Sequence, residues 1–334
     1  MAFFGVTKEV LEKVYPHNNA DKLELGKLIN CEFQFVLPKG MYKVGDEVLY
    51  IPIDAILPEE LVTKIDIKNK RIRTISLRNE ISQGLVINTD YVPKEIIDKG
   101  TEEITKYLGI VKYEPEEQFT QFGRLQELPS GLSKYDIESC DRYLDKLNEL
   151  IDEDVVVTEK LEGSNFSISY DGNEVLVNSR NNTIICEEGK ELHSYWKYVK
   201  QNNLDTKIKA LYSGQRITLY GECVGAGIQG NIYKLKSQEV FFFDSKNGTC
   251  WLGYNEFKVL CSAMQIKTAP ELYKGKLKNY LTKSVRELSN GNSQLLPILR
   301  EGIVIKPLVE KTLECYGRAI FKQRDPIYLS KEQQ

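Results

Sequence analysis

Lys160 stands two residues before an acid and three before a glycine, in Thr158-Glu159-Lys160-Leu161-Glu162-Gly163-Ser164-Asn165. A lysine is a poor nucleophile while its ammonium is protonated. It becomes an attacking amine when burial or nearby cations depress its pKa. Such cations follow at Arg180, Lys306 and Lys322, and all three also suit phosphate. The acids Glu162, Glu222 and Glu301 offer oxygen donors for the water shell of a Mg²⁺ or Mn²⁺ ion, or for a ribose hydroxyl. Phe241 and Phe243 fall on one side of a predicted strand, where one of them could stack on a purine. The same spacing equally describes plain core. A lone Lys-x-acid-Gly is a weak signal, because chance supplies it readily. The ordered set carries the weight: Lys160, Ser179-Arg180, Tyr220-Gly221-Glu222, Phe243-Asp244, Glu301 to Lys306, and Phe321-Lys322. Together these residues suit phosphoryl chemistry, which depends on positioning and charge neutralisation.

Elements must deliver these side chains. Asp154-Val155-Val156-Val157-Thr158 reads as a β-branched strand leading to Lys160. Before it, Asp136 to Leu150 reads as an amphipathic helix, with Ile137, Tyr143, Leu144, Leu147 and Leu150 near helical spacing. Residues 113–134 are rich in Glu, Gln, Pro and Gly and read as a linker. The first 112 residues read as short strands broken by turns, at Phe33–Leu37, Glu47–Pro52, Ile72–Leu77 and Gly84–Ile87. Pro58-Glu59-Glu60-Leu61 marks a helix start. About five strands and a short helix in this length fit an OB-type β-barrel.

The chain has 334 residues, a formal net charge of −3 and 41% hydrophobic residues, which suits two domains with ordinary cores. That charge argues against coating nucleic acid by bulk attraction, but leaves room for a local basic groove. Lys64, Lys68, Lys70, Arg71, Arg73 and Arg78 are the densest positive stretch, either the wet side of a strand or a nucleic-acid surface. Seven cysteines without Cys-x-x-Cys spacing read as reduced thiols rather than a zinc site. With only His17 and His193, histidine triads and histidine-rich metal sites are poorly supported, and His193 reads as a packing residue. No run of about 18 apolar residues and no signal peptide appear, so a cytoplasmic location (or nuclear, in a eukaryote) without membrane contact is expected.

The second part of the chain resembles the covalent nucleotidyltransferase superfamily of ATP-dependent ligases and mRNA capping enzymes. Lys160 to Asn165 matches the lysine block in its RNA ligase form, Lys-x-Glu-Gly-x-Asn, and the other blocks follow in order to Lys322. Arg324 stands where the pattern often has a second lysine. The segment before it resembles OB modules at His17 to Leu23 and Ser82 to Leu85. Only about a dozen residues follow Lys322, and the OB-like module comes first. That order resembles the fifth ATP-dependent RNA ligase family.

The resemblance implies an α+β protein with an OB-like barrel over 1–112, a linker over 113–134 and an adenylyltransferase domain over 135–334. That domain would have antiparallel sheets with flanking helices, in an ATP-grasp-like ligase fold. It implies an enzyme sealing 3′-OH/5′-phosphate breaks, in nicked RNA or RNA-containing duplex, through AMP on Lys160. Glu159, Asn165, Arg180, Glu222, Phe243, Lys306 and Lys322 would bind the nucleotide, with Glu162 and Glu301 at a divalent metal. A GTP-using RNA guanylyltransferase and a non-catalytic OB-type RNA-binding protein are the rival readings.

Overall fold

The computed structural model describes residues 4–29, 31–113, 124–129, 131, 132, 134–186 and 192–331. The N-terminal part is a five-stranded antiparallel sheet, in the order Gln34–Pro38, Leu23–Leu28, Thr7–Pro16, Glu47–Ile51, Leu85–Asn88. A hairpin of Thr74–Leu77 and Glu80–Gln83 curls the sheet closed. Val36 donates its N–H to Ser82 Oγ at 3.1 Å, and Gln34 Nε2 donates to the Ile81 carbonyl at 3.2 Å. The Glu47–Ile51 strand is buried on both faces. Val48 and Tyr50 fill the barrel with Leu11, Leu28, Phe33, Phe35 and Leu37. Leu49 and Ile51 pack outward on Leu61, Ile104 and Leu108 of the short helices Glu59–Lys64 and Thr101–Tyr107 and the turn after them. A strand covered on both sides needs a continuous apolar run, and Val48-Leu49-Tyr50-Ile51 supplies one.

Two sheets make the larger domain. One has seven strands, in the order Arg124–Glu127, Asn182–Ile185, Val175–Asn178, Ser164–Tyr170, Ile217–Val224, Glu239–Asn247, Cys250–Trp251. The other has five, in the order Glu138–Ser139, Phe321–Arg324, Gly302–Pro307, Asp154–Lys160, Glu271–Lys276. The valines of Asp154–Lys160 alternate between two cores. Val155 and Val157 join Leu147, Leu150, Ile303, Ile305 and Phe321. Val156 joins Phe166, Ile168, Leu219, Phe242 and the helix residues Phe257 and Leu260. Stiff β-branched side chains suit a strand packed on both faces.

Two expectations change. The helix expected over Asp136–Leu150 shrinks to Leu144–Asn148, preceded by the strand Glu138–Ser139 and a 3₁₀ turn over Cys140–Arg142. Pairing of Glu138 and Ser139 with Phe321 and Lys322 takes backbone groups that a helix would have needed. The expected linker over 113–134 is not wholly a connector, because Arg124–Glu127 forms an edge strand of the seven-stranded sheet. Residues 114–123, 130 and 133 of that linker lie outside the described residues. The domains meet through Glu32 N–H to the Asp141 carbonyl at 3.1 Å and Arg286 Nη1 to the Glu32 carbonyl at 2.7 Å. Among the described residues no helix is long and apolar enough to cross a membrane.

Candidate active site

Between the two sheets of the larger domain lies a cavity of about 830 Å³. Alternation along Asp154–Lys160 turns Val156, Thr158 and Lys160 toward it, while Val155 and Val157 enter the core behind. From strands of the seven-stranded sheet come Asn165, Glu222 and Phe243, and Arg180 comes from the turn after Val175–Asn178. Lys306, Lys322 and Glu159 complete the sequence-predicted residues that line it.

Lys160 Nζ lies 2.7 Å from Glu301 Oε2, with the lysine side chain 25% exposed and the glutamate 10%. The pair is a direct consequence of register. Lys160 faces Gly302 across the ladder, which places Glu301 beside it. Gly302 is required at this point by close packing, since a Cβ there would run into the carbonyl oxygen of Gln323. Gly163 is tied down in the same way by the Cys223 carbonyl. The two motif glycines are therefore explained by neighbouring backbone.

Glu222 faces Asn165 across the ladder. Burial pushes its carboxyl up to about 8; Glu301 and Glu162 add to the shift, and Lys160 and Arg180 oppose it. Glu162 is not among the cavity-lining residues, and its N–H donates to Tyr233 Oη at 2.9 Å. Among the described residues no three His, Cys, Asp or Glu side chains close around one point. The acids nevertheless suit a hard divalent cation, because they are oxygen donors and a positive charge would relieve the crowding on Glu222.

The four cations have different settings. Lys322 lies in one cross-strand row with Val304 and Thr158. Burial lowers its pKa to about 8; Arg324 and Lys160 repel its charge, and Asp136 counters them. Arg180 Nη2 reaches Asp136 Oδ2 at 3.1 Å, while its Nε is buried with no hydrogen-bond partner. Lys306 is sealed, with Nζ 2.9 Å from Asp244 Oδ1 and the Tyr254 and Phe257 rings nearby. Its partner on the strand is Val156, four residues before Lys160, or about 13 Å along the strand. Lys306 therefore does not crowd Lys160, contrary to the expectation from sequence, because its charge is taken up by Asp244. Arg324, at the second-lysine position, turns to Asp54 of the N-terminal domain at 3.6 Å.

Phe243 lines the cavity and rests on Tyr135, with ring centroids 5.0 Å apart. Phe241 is buried instead with Leu161, Val224 and Tyr233. Glu159 is 2% exposed. Its Oε2 accepts the Gln294 N–H at 2.8 Å and its Oε1 is buried without a partner. His193 caps the helix Ser194–Gln201, its Nδ1 accepting the Tyr195 N–H at 3.1 Å, and it also lines the cavity. His17 is buried in the N-terminal domain, 3.2 Å from the Leu77 carbonyl.

Sequence reasoning missed Tyr135, Asp136 and Arg318. Tyr135 donates its hydroxyl to Asp244 Oδ2 at 2.5 Å, and Arg318 Nη1 reaches the same oxygen at 2.7 Å. Only an unpatterned Tyr-Asp dipeptide after the Pro- and Gly-rich stretch marked the first two.

Comparison with known proteins agrees with this geometry. The RNA ligase family model matches residues 153–324, and an OB-fold domain model matches residues 6–89. No curated protein matches the chain. Among solved structures, the chain is similar to the RNA ligase of Naegleria gruberi. The apo form of an aspartate-to-alanine variant is 27% identical, with a TM-score of 0.85 over 100% of this chain and 99% of that one. A lysine-to-methionine variant with AMP and manganese is 26% identical, with a TM-score of 0.84 over 99% of each. A glutamate-to-alanine variant with ATP and manganese is 26% identical, with a TM-score of 0.83 over 99% of this chain and 100% of that one. With the family matched over more than half its length and an OB-fold domain ahead of the site, the chain belongs to the RNA ligase family and is an RNA-ligating enzyme.

Proposed function

We propose that this enzyme uses ATP and a divalent cation to seal 3′-OH/5′-phosphate breaks, in particular nicks whose 3′-OH strand is RNA. The observation that carries the reading is the placement of Lys160 in one cavity with Arg180, Glu222, Phe243 and Lys322. The related Naegleria enzyme holds ATP or AMP together with manganese.

Lys160 Nζ attacks the α-phosphorus of ATP. The bond to the β-phosphate oxygen breaks, pyrophosphate leaves, and the amine loses a proton as the phosphoramidate forms. The AMP then passes to the 5′-phosphate of the break, which frees the lysine. The 3′-OH attacks that activated phosphate and AMP departs. Before the first step the Lys160 ammonium must give up a proton, for which Glu301 Oε2 at 2.7 Å is an acceptor within reach, since only the neutral amine carries the lone pair that attacks. Glu301, Glu222 and Glu162 would hold a magnesium or manganese ion through its water shell rather than as a direct three-carboxylate cage, and the ion would supply charge neutralisation to the phosphates. Water and phosphate oxygens would fill that shell.

Arg180 and Lys322 offer the cations that meet phosphate. Phe243 offers the stacking face for the purine. The unmatched Glu159 Oε1 fits an exocyclic amino group, which adenine presents and guanine replaces with an oxygen at the equivalent position.

The experiment is sealing of a nicked duplex with a ribonucleotide 3′ end, with ATP or GTP as the only nucleotide. Sealing with ATP, with an adenylylated 5′ end trapped when the 3′-OH is replaced by hydrogen, supports the reading. Sealing with GTP alone, or none with either, contradicts it. Glu159→Ala should narrow the preference for ATP, and an unchanged ratio removes that role from Glu159.

A further inference from the structure

The segment joining the two domains enters the site. Tyr135 packs behind Phe243 and is anchored to Asp244, and Ile137 lines the cavity. Asp136, held between them, accepts two cations on one carboxylate oxygen. Lys112 Nζ of the N-terminal domain lies 2.6 Å from Oδ2, and Arg180 Nη2 of the ligase domain lies 3.1 Å from it.

We infer that Asp136 is a positioning residue that sets the Arg180 guanidinium against the nucleotide cavity by tying it to Lys112 of the docked OB domain. The inference rests on the ligase reading above. Three observations carry it. Lys112 is fixed by its own strand, where it pairs with Ala55. Asp136 is flanked by two residues pinned in the site, so its carboxylate cannot wander far. Arg180 spends Nη2 on the bridge yet keeps Nε buried and unpartnered in the cavity wall, a donor left over for a ligand. The bridge itself is too exposed, at 31% and 37%, to matter much to stability. Burial disfavours the Asp136 carboxylate, but Lys322, Lys112 and Arg180 outweigh it and hold the carboxyl below its usual range.

A planar guanidinium binds phosphate well only in one orientation, and a fixed carboxylate on one nitrogen supplies that orientation in advance. The OB domain would thus act on nucleotide binding through a salt bridge, without itself touching the nucleotide at this point.

The test is single-turnover formation of the enzyme–AMP adduct from α-labelled ATP across a range of ATP concentrations. The proteins are wild type, Asp136→Asn, Asp136→Glu, Lys112→Ala and the double variant Asp136→Asn with Lys112→Ala. Asp136→Asn should raise the half-saturating ATP concentration about tenfold, change the saturating rate less, and leave the melting temperature near that of wild type. Lys112→Ala should act in the same direction, and the double variant should be no worse than the stronger single one, because both break one bridge. Asp136→Glu should recover part of the affinity. Unchanged ATP dependence in Asp136→Asn, or effects that multiply in the double variant, overturns the inference while the wild-type adduct stands. Absence of adduct in the wild type overturns the ligase reading and this inference with it.

Discussion

Lys160 meets Glu301 at 2.7 Å and Lys306 meets Asp244 at 2.9 Å, with the two lysines on adjacent strands of one sheet. The distances are alike and the surroundings are not. Lys306 and Asp244 are 6% and 0% exposed, and Asp244 also receives Arg318, Tyr135 and the Ser245 N–H. Every lone pair of that carboxylate has a partner, so the pair is a fixed joint between the sheets. Lys160 and Glu301 are 25% and 10% exposed, with the cavity and the acid Glu222 alongside. An ion pair left partly solvated can be exchanged for a substrate, and one that is sealed and saturated cannot.

Breaking the two pairs should therefore have different costs. Asp244→Asn leaves the Lys306 and Arg318 charges buried against a neutral amide, and should cost about 3–5 kcal/mol in denaturant unfolding. Glu301→Gln should cost less stability than Asp244→Asn, because it leaves one cation with solvent contact rather than two sealed ones, while impairing adduct formation. Equal losses of stability would erase the distinction between a joint and a site.

A second buried acid, Asp141, sharpens the contrast at the domain junction. Burial pushes its carboxyl up to about 6; Arg286 and hydrogen bonds from Gln323 and Ser139 oppose the shift. A raised acid binds its proton more tightly folded than unfolded. Its contribution is full below an unfolded value of about 4 and is lost as pH rises through about 6, amounting to up to about 3 kcal/mol. Urea unfolding from pH 4 to 7 should show this loss together with that of the raised Glu222 carboxyl, and Asp141→Asn should make the slope shallower without removing it. A slope that the substitution leaves unchanged would assign it to other groups.

The two phenylalanines extend the same logic to apolar side chains. Phe243→Ala should weaken ATP binding by roughly ten- to hundredfold, since stacking on a base is worth about 1–3 kcal/mol. Phe241→Ala should instead destabilise the fold, because it opens the packed cluster with Leu161, Val224 and Tyr233. Titration with a fluorescent ATP analogue and thermal melts separate the two effects.

What the sequence disclosed follows the same division. Val155-Val156-Val157 announced its strand because three β-branched residues leave few other options. The motif residues announced the cavity because chemistry fixes their types and order. The ten-residue strand Thr7–Pro16 was not singled out, since its lysines and glutamates blur the period-two pattern where one face is solvated. The helix expected from Asp136 failed because spacing among Tyr143, Leu147 and Leu150 described only its last turns. Asp136 and Arg318 were illegible for a different reason. Their partners, Lys112, Arg180, Asp244 and Glu310, are distant in sequence or unmarked by any pattern, and only the folded chain brings them together.

The most direct test of the account is to map the nucleotide on the protein. Incubation with α-labelled ATP and manganese, followed by peptide mapping, should place AMP on Lys160 and nowhere else. Lys160→Ala should carry no label, and the wild-type label should move to the 5′-phosphate when a nicked duplex is added. Label on a different side chain, or a labelled Lys160→Ala protein, would contradict the assignment of that amine as the nucleophile.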